Sequence, residues 1–227
     1  MPNWNNIDTI LLDMDGTLLD LHFDNYFWCE YLPLEYARCN GQEVEQVRDY
    51  LSKLMDEVYG SIDWYCVDFW TEKLDIDIIS LKREIDHLIA LRPATGKFLE
   101  AAHRSNKKVY MVTNAHHDVL ELKLDKINIS HYFDELISSH QYGYIKEQQE
   151  FWQKLEQELN FDPKRTFFID DSQSVLDSAA KFGIAHIYSI NQPDSKQPPI
   201  QINDDINNDY GKYPMIDDFS DIIKGLN

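Results

Sequence analysis

The stretch TILLDMDGTLLD, residues 9–20, decides the fold of this chain. Its apolar residues 10–12 have the pattern of a buried strand, and two carboxylates, Asp13 and Asp15, follow at once. Residues i and i+2 of an extended chain project to the same side, so both carboxylates can face one ligand. Two nearby carboxylates repel each other, and one takes up a proton unless a cation lies between them. The stretch indicates either a turn after a strand or a cation site.

Further short apolar runs alternate with helical patterns later in the chain. The predicted strands are residues 9–13, 108–113, 135–138, 166–170 and 185–190. The predicted helices between the later strands are residues 119–127, 147–159 and 174–182. This alternation predicts an α/β fold with a mainly parallel sheet and helices on both faces. Such sheets carry their chemistry at the carboxyl ends of the strands.

Residues 21–92 show helical periodicity and no strand pattern. Their two clearest apolar repeats are Val44, Val47, Leu51, Leu54, Met55 and Val58, and then Ile78, Leu81, Ile85 and Leu88. We expect an all-helical cap domain over 21–92, inserted into a core formed by 1–20 and 93–227. Pro93 marks the return to the sheet. Residues 191–213 predict a long surface loop, and residues 217–226 a short terminal helix.

The composition narrows the possible partners. The 227 residues carry 40 acidic and 21 basic side chains, a formal net charge of −19, which disfavours binding to nucleic acid polymers or anionic membranes. Cys29, Cys39 and Cys66 form no CxxC pair, so a disulfide framework or a metal cluster of cysteines is not expected. With no leader or membrane-span pattern, we expect a cytoplasmic protein.

Polar side chains follow several predicted strands where each one ends. Thr113 and Asn114 end the second strand, and Asp170 and Asp171 end the strand TFFID. Lys146 precedes a predicted helix in GYIKEQQ. Four carboxylates at one sheet edge need a cation, and oxygen ligands without histidine or cysteine favour Mg²⁺. The hydroxyl, amide and ammonium groups could hold a phosphate.

These motifs carry a resemblance to a known family. DMDGT, VTN, a later lysine and IDDS, in this order, resemble the four motifs of haloacid dehalogenase (HAD) superfamily phosphatases. LLDLHFDNYFW, WYCVDFW, TNAH, FGI and FIDDSQSVLD are similar to the bacterial GMP/IMP 5′-nucleotidases of that superfamily. The resemblance implies a Rossmann-like core with a helical C1-type cap. It also implies a Mg²⁺-dependent phosphomonoester hydrolase that dephosphorylates IMP and GMP through an aspartyl-phosphate.

The resemblance also implies a role for each motif residue. Asp13 is the expected nucleophile, and Asp15 the expected acid and base. Thr113 and Asn114 would hold phosphate oxygens, and Lys146 would neutralise charge. The expected Mg²⁺ ligands are Asp13, the backbone carbonyl of Asp15, Asp171, and Asp170 through water.

The sequence departs from the family pattern after the third motif. Glu147 follows Lys146 where family members often have proline. Lys123, Lys126 and Lys154 lie close enough in sequence to be alternatives for the lysine.

Substrate-binding candidates outside the motifs are His116, Asp24, Asn25 and Arg92. His116 fits either a helix cap or a substrate contact. Asp24 and Asn25 could reach a base or ribose, and Arg92 a phosphate or base. Several cap aromatic residues fit either core packing or stacking on a purine: Tyr26, Phe27, Trp28, Trp64, Tyr65 and Trp70.

Two other functions stay open at this point. The four motifs also occur in sugar- or acid-phosphate phosphatases and phosphomutases. A catalytically idle HAD-like binding protein is disfavoured, because it would not need the intact set of Asp13, Asp15, Lys146 and Asp171. We expect a small phosphorylated metabolite, a purine nucleotide, as partner, and a monomer or weak homodimer.

Overall fold

Six parallel strands form one sheet in the described part of the chain. The computed structural model of the protein describes residues 1–200 and 211–226. The strands are β1 (Thr9–Leu12), β2 (Lys108–Thr113), β3 (Glu135–Ser138), β4 (Thr166–Asp170), β5 (His186–Ile190) and β6 (Met215–Ile216). Their order is β3-β2-β1-β4-β5-β6, and all neighbouring pairs are parallel. The predicted α/β class with a mainly parallel sheet is confirmed.

Strand β1 lies inside the sheet and is buried on both faces. Ile10 and Leu12 pack into one apolar cluster and Leu11 into a second, as the alternation of side chains along a strand requires. The ladder with β4 continues one step beyond the strand, because the Asp13 N–H donates to the Ile169 carbonyl at 3.1 Å. This register fixes the position of the residues that follow β1.

The segment between β1 and β2 is helical, as predicted, and no residue from 21 to 90 is in a strand. Its helices are α1 (His22–Tyr26), α2 (Leu32–Asn40), α3 (Val44–Val58), α4 (Ile62–Tyr65), α5 (Val67–Leu74) and α6 (Ile78–Glu84). A π-helical turn, Phe27–Tyr31, joins α1 to α2. It lies just before Pro33, which has no N–H to offer the Cys29 carbonyl, and Arg48 donates to that carbonyl instead.

The two connections between the helical segment and the sheet run side by side. The Asp20 N–H donates to the Ala90 carbonyl at 2.9 Å, and the Arg92 N–H donates to the Leu18 carbonyl at 3.0 Å. The chain therefore leaves and re-enters the sheet at one place. The proposed division into a core of 1–20 and 93–227 and a cap of 21–92 stays a prediction.

Four helices cover the two faces of the sheet. They are α7 (Thr95–Arg104), α8 (His117–Lys126), α9 (Gln149–Leu159) and α10 (Gln173–Phe182). Residues of α7 and α8 pack into the cluster of Ile10, whereas residues of α9 and α10 pack into the cluster of Leu11. In the described residues, none of the helices combines the length and apolar character needed to cross a bilayer.

The C-terminal part differs from the prediction. The predicted helix over 217–226 is wrong: a 3₁₀ turn, Phe219–Asp221, follows the short strand β6. Gly225 adopts a left-handed conformation with φ 86°, which a helix does not accommodate. Phe219 and Ile222 are buried without a helix. The predicted loop over 191–213 lies partly outside the described residues.

Candidate active site

Asp13 and Asp15 lie in a tight turn beyond the carboxyl end of β1. Met14 between them is fully buried and anchors the turn in the core. Gly16 has φ 77°, and a Cβ at this position would lie 2.4 Å from Oδ2 of Asp171. Glycine is therefore required here, because it lets the β1 turn approach the carboxylates that follow β4.

Lys146 joins the carboxylates of two strands. Its side chain is 2% exposed, and its Nζ donates to Asp13 Oδ1 at 2.5 Å and to Asp170 Oδ2 at 2.7 Å. Its backbone N–H donates to Asn114 Oδ1 at 2.9 Å, so the residue after β2 positions the lysine. One ammonium thus contacts two of the acidic side chains that were expected to meet at this edge.

The other lysines considered from the sequence lie elsewhere. Lys126 pairs with Asp86 at 3.0 Å near the surface, and Lys154 is exposed. Lys123 is buried and contacts Asp15 rather than Asp13. Of these four lysines, Lys146 is the one that contacts Asp13 in the described residues.

The carboxylates outnumber the ammonium that neutralises them. Carboxylate oxygens of Asp13, Asp170 and Asp171 lie within 4.8 Å of one another. Burial raises the pKa of Asp13 to about 7, Lys146 opposes this, and Asp170 adds to it. Burial and the charges of Asp170 and Asp13 raise the pKa of Asp171 well above its ordinary value.

Asp13 also has a free oxygen. Its Oδ2 atom is buried and has no hydrogen-bond partner within residues 1–200 and 211–226. A buried carboxylate oxygen without a partner is costly, and a hard divalent cation would satisfy it and offset the excess negative charge. The donor set of Asp13, Asp170 and Asp171 contains only oxygen and fits Mg²⁺.

A buried chain of alternating charges extends from Asp15 into the helical segment. Lys123 Nζ donates to Asp15 Oδ1 and Asp24 Oδ2, both at 2.6 Å, and Lys82 Nζ donates to Asp24 Oδ1 at 2.9 Å. Lys82 also lies 4.3 Å from the ring centre of Phe27. Asp24 is therefore held between two lysines at the border of the cavity, and its carboxylate joins α1 to α6 and α8.

The charge chain sets the protonation of two acids in opposite directions. Burial raises the pKa of Asp15 to about 6, while Lys123 opposes the shift and Asp24 adds to it. For Asp24, burial also favours the neutral acid, but Lys123 and Lys82 outweigh it and lower the pKa to about 2. Asp15 consequently titrates near neutral pH, whereas Asp24 stays ionised.

Glu147 connects the helical segment to the β2 loop. Its Oε1 accepts from the Tyr65 hydroxyl at 2.9 Å, and its Oε2 accepts from Asn114 Nδ2 at 2.9 Å. Asn114 is therefore fixed on both sides, by Glu147 and by Lys146. Thr113 Oγ1 accepts from the Ala115 N–H at 3.0 Å, which leaves its hydroxyl proton for another acceptor.

A cavity of about 390 Å³ lies between the sheet edge and the helical segment. This volume is in the usual range of small-molecule sites. Its floor includes Asp13, Asp15, Thr113, Asn114, Lys146, Asp170 and Asp171, and its sides include Asp24, Asn25 and His116. Four of the aromatic residues singled out from the sequence line the helical side: Trp28, Trp64, Tyr65 and Trp70.

Comparison with known proteins identifies the family. The family described as haloacid dehalogenase-like hydrolase matches residues 7–183. The chain belongs to this family. This HAD-like hydrolase is 38% identical over 223 residues, 98% of the chain and 97% of the relative, to the GMP/IMP nucleotidase YrfG of Escherichia coli K12. The expected HAD superfamily membership is confirmed, and the chain is a HAD-type phosphatase.

The chain is also similar to a more distant sequence relative and to a solved structure. A phosphorylated carbohydrates phosphatase of Thermotoga maritima is 24% identical over 196 residues, covering 81% of this HAD-like hydrolase and 85% of the relative. The crystal structure of a HAD phosphatase from Thermococcus onnurineus superposes with a TM-score of 0.71 at 22% identity. That match covers 87% of this chain and 92% of the other.

The structure places Arg92 away from the cavity of this HAD-like hydrolase. Its guanidinium donates to the backbone carbonyls of Gln192 and Pro193, and to that of Asp217 at 3.0 Å. It is absent from the described residues that line the cavity. The side chain joins two loops beside the connection between the sheet and the helical segment, and a contact of Arg92 with substrate stays a prediction.

His116 and Asn25 have structural contacts as well as places in the cavity. His116 Nδ1 accepts from the Asp118 N–H at 3.4 Å at the start of α8, which is the capping role considered from the sequence. Asn25 Nδ2 donates to Asp194 Oδ2 at 2.8 Å. Both alternatives for His116, cap and cavity residue, are thus compatible with its position.

Sequence reasoning missed the buried lysine Lys82 and the pairing of Lys123 with Asp15. A signal was present, since both lysines lie on an apolar helical face: Lys82 is four residues after Ile78, and Lys123 is four residues after Val119. A lysine on an apolar face is buried only where an acid can pair with it.

Proposed function

We propose that this HAD-type phosphatase is a Mg²⁺-dependent phosphomonoesterase that hydrolyses the purine 5′-nucleotides IMP and GMP. The observation that carries the reaction type is the contact of Lys146 Nζ with Asp13 and Asp170 on the floor of the cavity. The nucleotide class is supported by the 38% identical relative named as a GMP/IMP nucleotidase.

Asp13 is the proposed nucleophile. Lys146 holds one carboxylate oxygen, Oδ1, at 2.5 Å, and the second oxygen, Oδ2, is without a partner among the described residues. A carboxylate oxygen attacks the phosphorus, the bond from phosphorus to the ester oxygen breaks, and an aspartyl-phosphate forms. The fixed position of Asp13 lowers the entropic cost of this attack.

Asp15 is the proposed acid and base. In the first step its proton goes to the leaving ribose oxygen. In the second step it accepts a proton from water, whose oxygen attacks the phosphorus while the bond to Asp13 breaks. Inorganic phosphate leaves and the Asp13 carboxylate is restored. The pKa of Asp15, which burial raises to about 6, suits both directions of proton transfer.

Thr113 and Lys146 are the proposed hydrogen-bond donors to the phosphate oxygens. The Thr113 hydroxyl proton is available, and Lys146 neutralises charge on the phosphate and on Asp13. Asn114, fixed by Glu147 and Lys146, positions this loop. Asp13, the Asp15 carbonyl and Asp171 would hold Mg²⁺, with Asp170 acting through water. When bound, the ion supplies neutralising charge for the phosphoryl oxygens.

The aromatic side of the cavity is the proposed purine site. Trp28, Trp64, Tyr65 and Trp70 line it, and stacking of a base on an aromatic ring contributes about 1–3 kcal/mol. Asp24 and Asn25 lie on the same side and could accept from, or donate to, a base edge or ribose hydroxyl. Since Asp24 already pairs with two lysines, we expect Asn25 to contribute more to specificity.

A second candidate substrate class is a small sugar or acid phosphate. It is supported by the relative in Thermotoga maritima named as a phosphorylated carbohydrates phosphatase, at 24% identity. The expected cytoplasmic location and the monomer or weak homodimer stay predictions.

Phosphate release with Mg²⁺ from IMP, GMP, AMP, phosphoglycolate and hexose phosphates tests the proposal. We expect selective turnover of IMP and GMP. Turnover of sugar phosphates alone would contradict the nucleotidase assignment, and transfer of phosphate between two positions of a sugar would indicate a mutase.

The variant Asp13→Asn tests the mechanism. We expect a loss of at least about 10³-fold in kcat, because the nucleophile is removed while the amide keeps the shape of the side chain. Asp8→Asn is the control, since Asp8 is exposed at the opposite end of β1 and pairs with Arg165. Activity that survives in Asp13→Asn would reject the aspartyl-phosphate.

A further inference from the structure

Three metal-ligating side chains meet where the helical segment lies against the sheet. Cys66 is between α4 and α5, His116 precedes α8, and His140 lies in the 3₁₀ turn after β3. Their ligand atoms lie within 4.8 Å of one another, and the rings of His116 and His140 are 4.9 Å apart at 83°. The cluster shares no residue with the group of Asp13, Asp170 and Asp171.

His140, a member of this cluster, has a buried ring nitrogen. Its Nε2 atom is shielded from solvent and has no hydrogen-bond partner among the residues that the structure describes. Buried polar atoms are almost always paired, so an unpaired imidazole nitrogen beside a thiol and a second imidazole points to a ligand.

Cys66 supplies a free sulfur to this cluster. In the described residues it is a free, half-buried thiol, and its Sγ accepts from the Phe69 N–H at 3.5 Å at the start of α5.

The carboxylate of Asp68 lies close enough to His116 to serve as a fourth metal ligand. Asp68 Oδ2 is 3.6 Å from His116 Nε2, and the Asp68 side chain is 77% exposed, so it can move toward an ion. One sulfur, two imidazoles and an oxygen are the ligands of Zn²⁺ in tetrahedral sites, and they do not suit Mg²⁺.

We propose that Cys66, His116 and His140 bind Zn²⁺, with Asp68 or water as the fourth ligand, and that the ion holds the helical segment closed over the cavity. The ligands come from two parts of the molecule: Cys66 and Asp68 lie in the helical segment, and the histidines follow strands β2 and β3 of the sheet. An ion that bridges the two restricts their separation, and hence the exchange of substrate and product. Only this effect on turnover rests on the proposed function; the zinc site itself does not.

Spectroscopy with Co²⁺ in place of Zn²⁺ tests the site directly. With the reduced full-length protein in excess Mg²⁺, we expect one equivalent of Co²⁺ to give a thiolate-to-metal absorption band that Zn²⁺ removes. Cys66→Ser abolishes the band, and both Cys66→Ser and His140→Gln weaken Zn²⁺ binding by at least about tenfold. Cys39→Ser, which alters an exposed cysteine of α2, keeps the band, and so does Asp171→Asn.

Thermal unfolding supplies a readout that is independent of activity. Stoichiometric Zn²⁺ raises the unfolding temperature of the wild type and of Cys39→Ser, but not of Cys66→Ser or His140→Gln. The zinc site is rejected if the wild type gives no thiolate-to-metal band. It is also rejected if Cys66→Ser and His140→Gln both keep the band and the stabilisation by Zn²⁺.

Turnover tests the closing effect. In excess Mg²⁺, stoichiometric Zn²⁺ lowers phosphate release by the wild type and leaves Cys66→Ser and His140→Gln unaffected. Binding that passes the spectroscopic test without inhibition overturns the closing effect alone. A protein inactive on every phosphate ester would reject the proposed function but leave the spectroscopic result intact.

Discussion

At the scale of single residues, Asp171 is a partly buried carboxylate close to those of Asp13 and Asp170. Its burial and the charges of Asp170 and Asp13 raise the pKa of Asp171 well above its ordinary value. An acid whose pKa is higher in the folded than in the unfolded protein contributes to stability at low pH, where it is protonated. This contribution is lost as the pH rises through the pKa of the folded state.

Asp171→Asn is therefore expected to stabilise the chelator-treated protein. The gain in unfolding free energy relative to wild type is small near pH 4 and grows toward pH 8, by about 1.4 kcal/mol for each unit of raised pKa. Urea unfolding in EDTA measures it. Excess Mg²⁺ should stabilise the wild type and not the variant, with Asp8→Asn behaving like wild type. A variant that is less stable than wild type in EDTA would show that Asp171 is compensated.

Lys123 is expected to set the pH range of the first chemical step. Lys123 lowers the pKa of Asp15 against the effect of burial, so Lys123→Met raises it further. Asp15 then keeps its proton to higher pH. In wild type we expect kcat/KM to fall as the pH rises through about 6, and in Lys123→Met this fall occurs at higher pH. Lys126→Met, an exposed lysine of the same helix, is the control. If kcat/KM of Lys123→Met falls at the same pH as in wild type, Asp15 is not the acid.

Most of the cavity floor could be predicted from the sequence, because the candidate side chains follow strands and parallel strands share one carboxyl edge. The structure brings Asp13, Asp170, Asp171 and Lys146 together as this rule requires. The partners of Lys123 could not be predicted, since they depend on how α1, α6 and α8 pack against one another.

At the scale of elements, a hydrogen bond to Glu147 joins α4 to the loop before α9. Glu147 stands where family members often have proline, and it accepts from the Tyr65 hydroxyl of the helical segment. Burial and the Glu147 carboxylate both raise the pKa of Tyr65, so the hydroxyl stays a donor over the working pH range.

Tyr65→Phe removes that donor and keeps the ring in the cavity. A hydrogen bond of this kind contributes about 0.5–1.5 kcal/mol, so we expect KM for the nucleotide to rise about 2- to 10-fold with kcat little changed. Steady-state kinetics on IMP measure both constants. Tyr59→Phe, at the exposed end of α3, should behave like wild type. A fall in kcat at constant KM would instead place Tyr65 in the chemical step.

The elements were predicted to different degrees. The limits of β2, β3 and β4 agree with the prediction, because buried strands of a parallel sheet are continuous apolar runs. Strand β6 was missed, since two residues, Met215 and Ile216, have no periodicity. The terminal helix was predicted wrongly because Phe219, Ile222 and Leu226 have helical spacing but are buried by an irregular chain.

At the scale of the whole molecule, the described N-terminal and C-terminal segments pack against each other beneath the sheet. Trp4 Nε1 donates to the Ile222 carbonyl at 2.9 Å, and the Trp4 ring lies 5.0 Å from that of Phe167 and 6.2 Å from that of Phe98. Trp4 is 3% exposed. This contact is remote from the residues that line the cavity.

Trp4→Ala should consequently reduce stability without changing the chemistry. We expect a loss of about 3–5 kcal/mol in the free energy of unfolding, measured with urea, and an unchanged kcat per folded molecule. Trp4→Phe should lose less, because it keeps an aromatic ring in the cluster. A loss below about 1 kcal/mol in Trp4→Ala would show that the two segments contribute little to stability.

The position of the helical insertion also governs the order of folding during synthesis. Leu12 of β1 pairs with Met111 and Ile169, so the first of the six strands to be translated has both of its neighbours only after β4 has been made. Closing such long loops slows folding, and the apolar segment TILL stays exposed to chaperones while the insertion emerges from the ribosome. In a series of ribosome-stalled chains, protease resistance of β1 should appear only once residues 166–170 have left the exit tunnel.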